Sequence, residues 1–132
     1  MKSKQVIVIR KDLNMRKGKM VAQGAHASMK VILDMMIKIP SEDEKTLYYG
    51  EPGMESVKNW LEEKYTKICV SVNSEEELKE IYNKAISAGI PASIILDAGL
   101  TEFDGVPTYT ASAIGPGWDK DIDTITSHLK LL

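Results

Sequence analysis

The feature that most constrains this chain is the strand-forming run at residues 5–9, which is apolar from Val6 to Ile9 and is followed by a charged turn. Strand alternation puts Val6 and Val8 on one face and Ile7 and Ile9 on the other. A strand that is apolar on both faces is typical of a sheet covered on both sides. The run therefore predicts an α/β protein rather than a half-solvated antiparallel sheet.

A long helical pattern follows the turn, from about Lys17 to Ile37, and Pro40 ends it. Its first half is rich in small residues, which allow a helix to approach another element closely: Gly18, Ala22, Gly24, Ala25, Ala27 and Ser28. Lys19, Gln23 and His26 are spaced i, i+4, i+7 and share one helix face. The pattern therefore predicts three polar side chains on one face of a helix that packs closely against another element.

The rest of the chain alternates strand and helix signals. Apolar patterns predict strands over 68–72, 92–96 and 108–114, and amphipathic helices over 53–65, 74–89 and 118–129. The connection between the last two strands is too short for a parallel crossover, so the fourth strand should run antiparallel to the third. We expect one mixed sheet with helices on both faces.

Residues 38–59 form a separate feature. Ser41 and Glu44 have the spacing of a capping box, which predicts a short helix up to Gly50. A Glu-Pro-Gly sequence at 51–53 then breaks the chain.

Composition limits the function classes. The 132 residues are enough for one domain, no apolar run approaches about 18 residues, and the start of the chain has no signal-peptide pattern. The single cysteine, Cys69, excludes a disulfide within the chain. We expect a cytoplasmic protein without a membrane partner.

The charge is unevenly distributed. The net charge is −2, yet residues 1–20 carry seven basic residues and one acid. A basic segment on an acidic body suits a local phosphate contact, although a solvated turn with ordinary lysines would look the same. The basic residues nearest the turn are Arg10, Lys11, Arg16 and Lys17.

Common catalytic motifs do not fit. A P-loop ending in Gly18-Lys19 would need a glycine at position 13 and a serine or threonine at 20, where the chain has Leu13 and Met20. No G-x-S-x-G sequence is present. A zinc site would require scattered carboxylates, so we expect no metal.

Chemistry is more plausible where strands end. Ligands of open α/β sheets bind outside the carboxyl ends of the strands, and the first and third strands lead to Lys19 and Asp97. A carboxylate there could orient or deprotonate a water, and an ammonium could stabilise an oxyanion or hold a phosphate. The same two residues could equally form an ion pair that closes a loop, and His26 could be a packing residue.

Several sequence segments are similar to those of the type-II (archaeal and eukaryotic type) peptidyl-tRNA hydrolases. They are 6–13 (VIVIRKDL), 18–27 (GKMVAQGAHA), 96–102 (LDAGLTE), 108–110 (TYT), 113–116 (AIGP), 122–123 (ID) and 127–132 (SHLKLL). They occur in the family's order, and the resemblance extends over nearly the whole chain except about residues 38–66. The resemblance implies a single three-layer α/β/α domain with a four-stranded mixed sheet, order 2-1-4-3, strand 4 antiparallel.

The resemblance also implies an activity: hydrolysis of the ester between a peptide and the 3′ end of tRNA, without a cofactor. It implies the catalytic residues Lys19, Asp97, Thr101 and, after one extra loop residue, Thr110. Gln23 and His26 match positions that line the same region. Arg10, Lys11, Arg16 and Lys17 then become candidates for binding the tRNA backbone. The RNA substrate is the expected partner, and a homodimer is compatible with the family.

Two departures leave alternatives open. Residues 38–59 look like an atypical helical insertion, and the loop 103–107 differs in length, which affects the placement of Thr110. A non-catalytic tRNA- or protein-binding module on the same fold is one alternative. An esterase for another aminoacyl or peptidyl ester is a second.

Overall fold

The computed structural model describes residues 1–38 and 44–132. Within these ranges the chain forms four α-helices: α1 (Lys17–Met35), α2 (Glu55–Glu62), α3 (Glu75–Ser87) and α4 (Asp119–Thr126). It also forms seven strands: β1 (Ser3–Arg10), β2 (Ile37–Lys38), β3 (Lys45–Thr46), β4 (Lys67–Val72), β5 (Ala92–Asp97), β6 (Thr108–Trp118) and β7 (Lys130–Leu131). A 3-10 turn over Lys11–Leu13 connects β1 toward α1. The predicted α/β class is confirmed.

The main sheet is mixed and has five strands in the order β5-β6-β1-β4-β7. β1 pairs with β4 in parallel, and β6 runs antiparallel to both β1 and β5. The expectation of a four-stranded sheet is wrong, because β7 adds a fifth strand antiparallel to β4. With only two paired residues, β7 is too short to give an alternation pattern in the sequence.

The two faces of β1 build two separate hydrophobic cores. Val6 and Val8 pack into a cluster with residues of α3 and α4. Ile7 and Ile9 pack into a second cluster, with Ala27 and other residues of α1. The assignment of alternate residues to opposite faces is confirmed.

The first helix approaches the sheet closely at Gly24. A Cβ atom built there would lie 3.3 Å from Cγ2 of Ile7, which is tighter than ordinary van der Waals contact. The absent side chain therefore lets the middle of α1 rest on β1. This contact sets how far the side chains of Lys19 and Gln23 have to reach.

Some predicted boundaries are wrong. Residues 44–50 contain β3 and no helix, while positions 41–43 of the predicted capping box lie outside the described residues. The last helix ends at Thr126 instead of 129, because the chain there turns into β7. No helix in the described ranges combines the length and apolarity needed to cross a bilayer.

Candidate active site

The candidate site lies at the edge of the sheet where β1 and β5 end. Both strands run antiparallel to β6, which lies between them, so their carboxyl ends point to the same edge. Lys19, in the first turn of α1, places Nζ 3.0 Å from Oδ1 of Asp97 at the end of β5. The same Nζ donates to Oγ1 of Thr101 at 2.8 Å. One ammonium thus joins a helix, a strand end and a loop.

Gln23 extends this cluster into the protein interior. Its Nε2 donates to Oδ1 of Asp97 at 3.3 Å, and its Oε1 accepts a hydrogen bond from the hydroxyl of Thr110. Gln23 and Thr110 are almost completely buried. The structure therefore brings Lys19, Gln23, Asp97, Thr101 and Thr110 together, with Thr110 in contact with Gln23 rather than with Asp97.

A β-bulge directs Thr110 into the cluster. In the pairing of β5 with β6, Ile95 lies opposite Ala111 and Leu96 lies opposite Tyr109, so Thr110 is an extra residue on β6. Tyr109 packs against the core beneath α3 and α4, whereas the Thr110 side chain reaches Gln23 on α1. A bulge re-aims side chains in this way, and it makes a hydroxyl available on the α1 side.

Gly99 fixes the second oxygen of Asp97. Its backbone N–H donates to Oδ2 of Asp97 at 2.9 Å, and its carbonyl accepts from the N–H of Gly105 at 2.8 Å. Gly99 has φ +81°, and a Cβ atom there would lie 2.3 Å from the carbonyl oxygen of Val106. Only glycine fits this turn, which sequence reasoning did not single out as part of the site.

The pKa of Asp97 is lowered from its ordinary value of 3.8. Burial acts in the opposite direction and raises the pKa, since it disfavours the charged form. The hydrogen bonds from Lys19 and Gly99, the positive charge of Lys19 and the amide of Gln23 together outweigh it. Asp97 is therefore a carboxylate at neutral pH.

The four basic residues predicted to bind phosphate differ in their exposure and in their partners within the protein. Arg10 is bound within the protein: its guanidinium pairs with Asp12 at 2.7 Å and donates to the carbonyl of Tyr109 at 3.0 Å. Lys11 and Lys17 are exposed. Arg16 is exposed too, although its Nε lies 3.5 Å from Oε1 of Glu102. Three of the four basic side chains thus face solvent beside the site.

His26 stands apart from the hydrogen-bonded cluster. It shares the α1 face of Lys19 and Gln23 but is exposed, and it forms no side-chain hydrogen bond with the described residues. Phe103 is a neighbour that sequence reasoning missed, with its ring centroid 5.7 Å from Nζ of Lys19. Across the described residues there is no group of three or more His, Cys, Asp or Glu side chains that could hold a metal ion.

An ionised carboxylate beside an ammonium and a hydroxyl, at the open edge of an α/β sheet, is the kind of arrangement used for hydrolysis. The family model described as "Peptidyl-tRNA hydrolase PTH2" matches residues 3–132. The chain belongs to this family.

Archaeal proteins named peptidyl-tRNA hydrolase are similar to this chain over almost its whole length. The one from Methanocaldococcus jannaschii is 51% identical over 98% of this chain and 99% of its own. That from Sulfurisphaera tokodaii is 42% identical over the full length of both, and that from Sulfolobus acidocaldarius is 40% identical over 98% and 99%.

The lowered pKa of Asp97 predicts a pH-dependent contribution to stability. Because the folded-state pKa lies below the unfolded value, the contribution is present above the unfolded pKa and is lost as pH falls through the folded pKa. In urea unfolding, the stability difference between wild type and Asp97→Asn should narrow as pH falls from about 6 to about 3.

The matched control is Asp34→Asn, which changes an exposed carboxylate paired with Lys30 on α1. Its stability difference should stay within about 0.5 kcal/mol of zero across that range. A difference for Asp97→Asn that stays constant with pH would contradict the account of this carboxylate.

Proposed function

We propose that Lys19, Asp97 and Thr101 surround the reacting carbonyl when this peptidyl-tRNA hydrolase cleaves the ester between a peptide and the 3′ end of tRNA. The observation that carries the proposal is the contact of one ammonium with both a carboxylate and a hydroxyl. The names of the archaeal relatives supply the substrate class.

The hydrogen bonds of Asp97 favour one position for the attacking water. Oδ1 already accepts from Lys19 and Gln23, which uses its two lone pairs. Oδ2 accepts from the N–H of Gly99, so among the described residues it retains one lone pair. We place the water at Oδ2.

The donors of Lys19 and Thr101 suit the developing oxyanion. An ammonium has three hydrogens, and two of those on Lys19 are used by Asp97 and Thr101. The Thr101 hydroxyl accepts from Lys19, which leaves its own hydrogen to donate. The third hydrogen of Lys19 and the hydroxyl of Thr101 would therefore bind the carbonyl oxygen as it gains charge.

The steps balance with water as the only co-reactant. The water oxygen attacks the carbonyl carbon while Asp97 accepts its proton. The tetrahedral intermediate then collapses, the bond between the carbonyl carbon and the 3′-oxygen of tRNA breaks, and that oxygen takes the proton. Free peptide and free tRNA leave, and the carboxylate is restored.

Gln23 and Thr110 act as positioning residues in this proposal. The amide oxygen of Gln23 accepts from Thr110, so its NH₂ group must face Asp97. Thr110 is buried and reaches Asp97 only through Gln23. Its hydroxyl thus sets the orientation of the amide that holds the carboxylate.

The tRNA backbone is proposed to lie along the exposed basic residues Lys11, Arg16 and Lys17, with His26 farther along the same helix. Arg10 has a different role, because its guanidinium is bound to Asp12 and to the carbonyl of Tyr109. It holds the turn that presents Lys11.

The localisation and the domain organisation are part of the same proposal. Translation takes place in the cytoplasm, so we place the chain there. We treat it as a single domain in which residues 38–59 form an accessory segment. Val21, Met29 and Leu33 are exposed along one side of α1, and this apolar strip would suit the interface of a homodimer.

Turnover of peptidyl-tRNA tests the proposal. Purified wild type should release free tRNA from N-acetyl-aminoacyl-tRNA, and Lys19→Ala should lower kcat/KM by about 100- to 1000-fold through loss of an oxyanion donor. Lys30→Ala, which removes an exposed lysine from the same helix, is the matched control and should keep wild-type activity.

If wild type binds tRNA but turns over no faster than Lys19→Ala, the chain is the non-catalytic binding module instead. Equal turnover of aminoacyl-tRNA with and without the N-acetyl group would point to a broader esterase.

Thr110 is tested by a pair of substitutions. Thr110→Val removes the hydroxyl and should lower kcat by about tenfold with a smaller change in KM, whereas Thr110→Ser should restore kcat. Thr124→Val is the control, since Thr124 is exposed and its hydroxyl donates only to a backbone carbonyl within α4. A serine variant as slow as the valine variant would contradict the positioning role.

A further inference from the structure

The loop between β5 and β6 presents two exposed apolar side chains beside the site. Leu100 is 86% exposed, the most exposed large hydrophobic side chain among the described residues, and Val106 is 60% exposed. An exposed leucine alone needs no explanation. Here, however, Leu100 lies directly between Gly99, whose N–H holds Asp97, and Thr101, whose hydroxyl contacts Lys19.

Backbone contacts hold together the two segments of the loop that carry Leu100 and Val106. A Cβ atom on Gly99 would lie within 2.7 Å of the backbone nitrogen, carbon and oxygen of Val106. The backbone at the start of the loop therefore contacts the backbone near its end. The Gly105 N–H closes the loop on the Gly99 carbonyl at 2.8 Å. The two apolar side chains are thus carried by backbone that is fixed to the candidate active site. A preorganised surface loses little entropy when it binds a ligand.

The charge of this loop is unsuited to an RNA backbone. Residues 98–107 contain no lysine or arginine; their two acids are the exposed Asp104 and Glu102, whose Oε1 lies 3.5 Å from Nε of Arg16. The exposed basic residues Lys11, Arg16 and Lys17 belong to the turn before α1 and to its first residue. A peptidyl-tRNA has one polyanionic half and one peptide half. The basic residues before α1 match the polyanionic half, and the loop 98–107 matches the peptide half.

We propose that Leu100 and Val106 contact the side chain of the peptide residue whose carbonyl forms the ester, so that an apolar residue at that position is hydrolysed faster. This inference rests on the proposed function. In that proposed function the Thr101 hydroxyl binds the reacting carbonyl, and Leu100 is the residue next to Thr101 in the chain. The other occupant that the site could receive is the terminal adenine of tRNA.

An experiment with one tRNA charged with different amino acids distinguishes these two occupants, because only the amino acid side chain changes. The same tRNA is acylated with N-acetyl-leucine or N-acetylglycine, and kcat/KM is measured for wild type, Leu100→Ser and Leu100→Met. Wild type should prefer the leucyl ester by about three- to tenfold, a fraction of what a closed apolar pocket achieves. Leu100→Ser should lose that preference by slowing only the leucyl ester, and Leu100→Met should keep it.

Leu131→Ser is the matched control, because Leu131 is 74% exposed on β7 at the opposite edge of the sheet. It should keep the wild-type preference. Equal rates of wild type on the two esters would overturn the inference and leave the hydrolase intact. So would an equal loss on both esters in Leu100→Ser, which would assign Leu100 to the terminal adenine. Failure of wild type to hydrolyse either ester would overturn the proposed function itself, and the inference with it.

Discussion

The contact between Lys19 and Asp97 is the interaction on which the site depends. It joins the first turn of α1 to the end of β5, 78 residues later in the chain, across a strand that pairs with both β1 and β5. Both side chains are largely shielded from water, so each charge is costly unless its partner is present. Gln23 and Gly99 donate further hydrogen bonds to Asp97, and Lys19 donates one to Thr101. The arrangement therefore keeps a carboxylate ionised at a defined place and leaves one ammonium hydrogen of Lys19 unused by these partners.

The fold brings these two residues together through two local devices. Gly24 allows α1 to lie against Ile7, so that the helix packs close to the sheet. The bulge at Thr110 then supplies a hydroxyl on the side of β6 that faces α1. Without the close packing, Lys19 and Gln23 would have to span a larger gap. Without the bulge, strand alternation would put residue 110 on the opposite face from Ala111.

Sequence reasoning predicted the parts of the structure that depend on short-range patterns. Alternating valines and isoleucines in β1 gave its two buried faces, and the rule that ligands bind at strand ends singled out Lys19 and Asp97 from the residues alone. The two-residue strand β7 was missed because its pairing comes entirely from tertiary contact with β4. The position of Thr110 behind Gln23 depends on a bulge that alternation cannot reveal. The substrate came from family resemblance, since lysine, aspartate and threonine together are compatible with several hydrolytic reactions.

A double-mutant cycle on hydrolysis tests most directly whether Lys19 and Asp97 act as one unit. The kcat/KM for N-acetyl-aminoacyl-tRNA is measured for wild type, Lys19→Ala, Asp97→Asn and the double variant. If the ammonium and the carboxylate act as a unit, the double variant should be about as slow as the slower single variant. Losses that multiply in the double variant would show that the two residues act independently, and would contradict the central role of their contact.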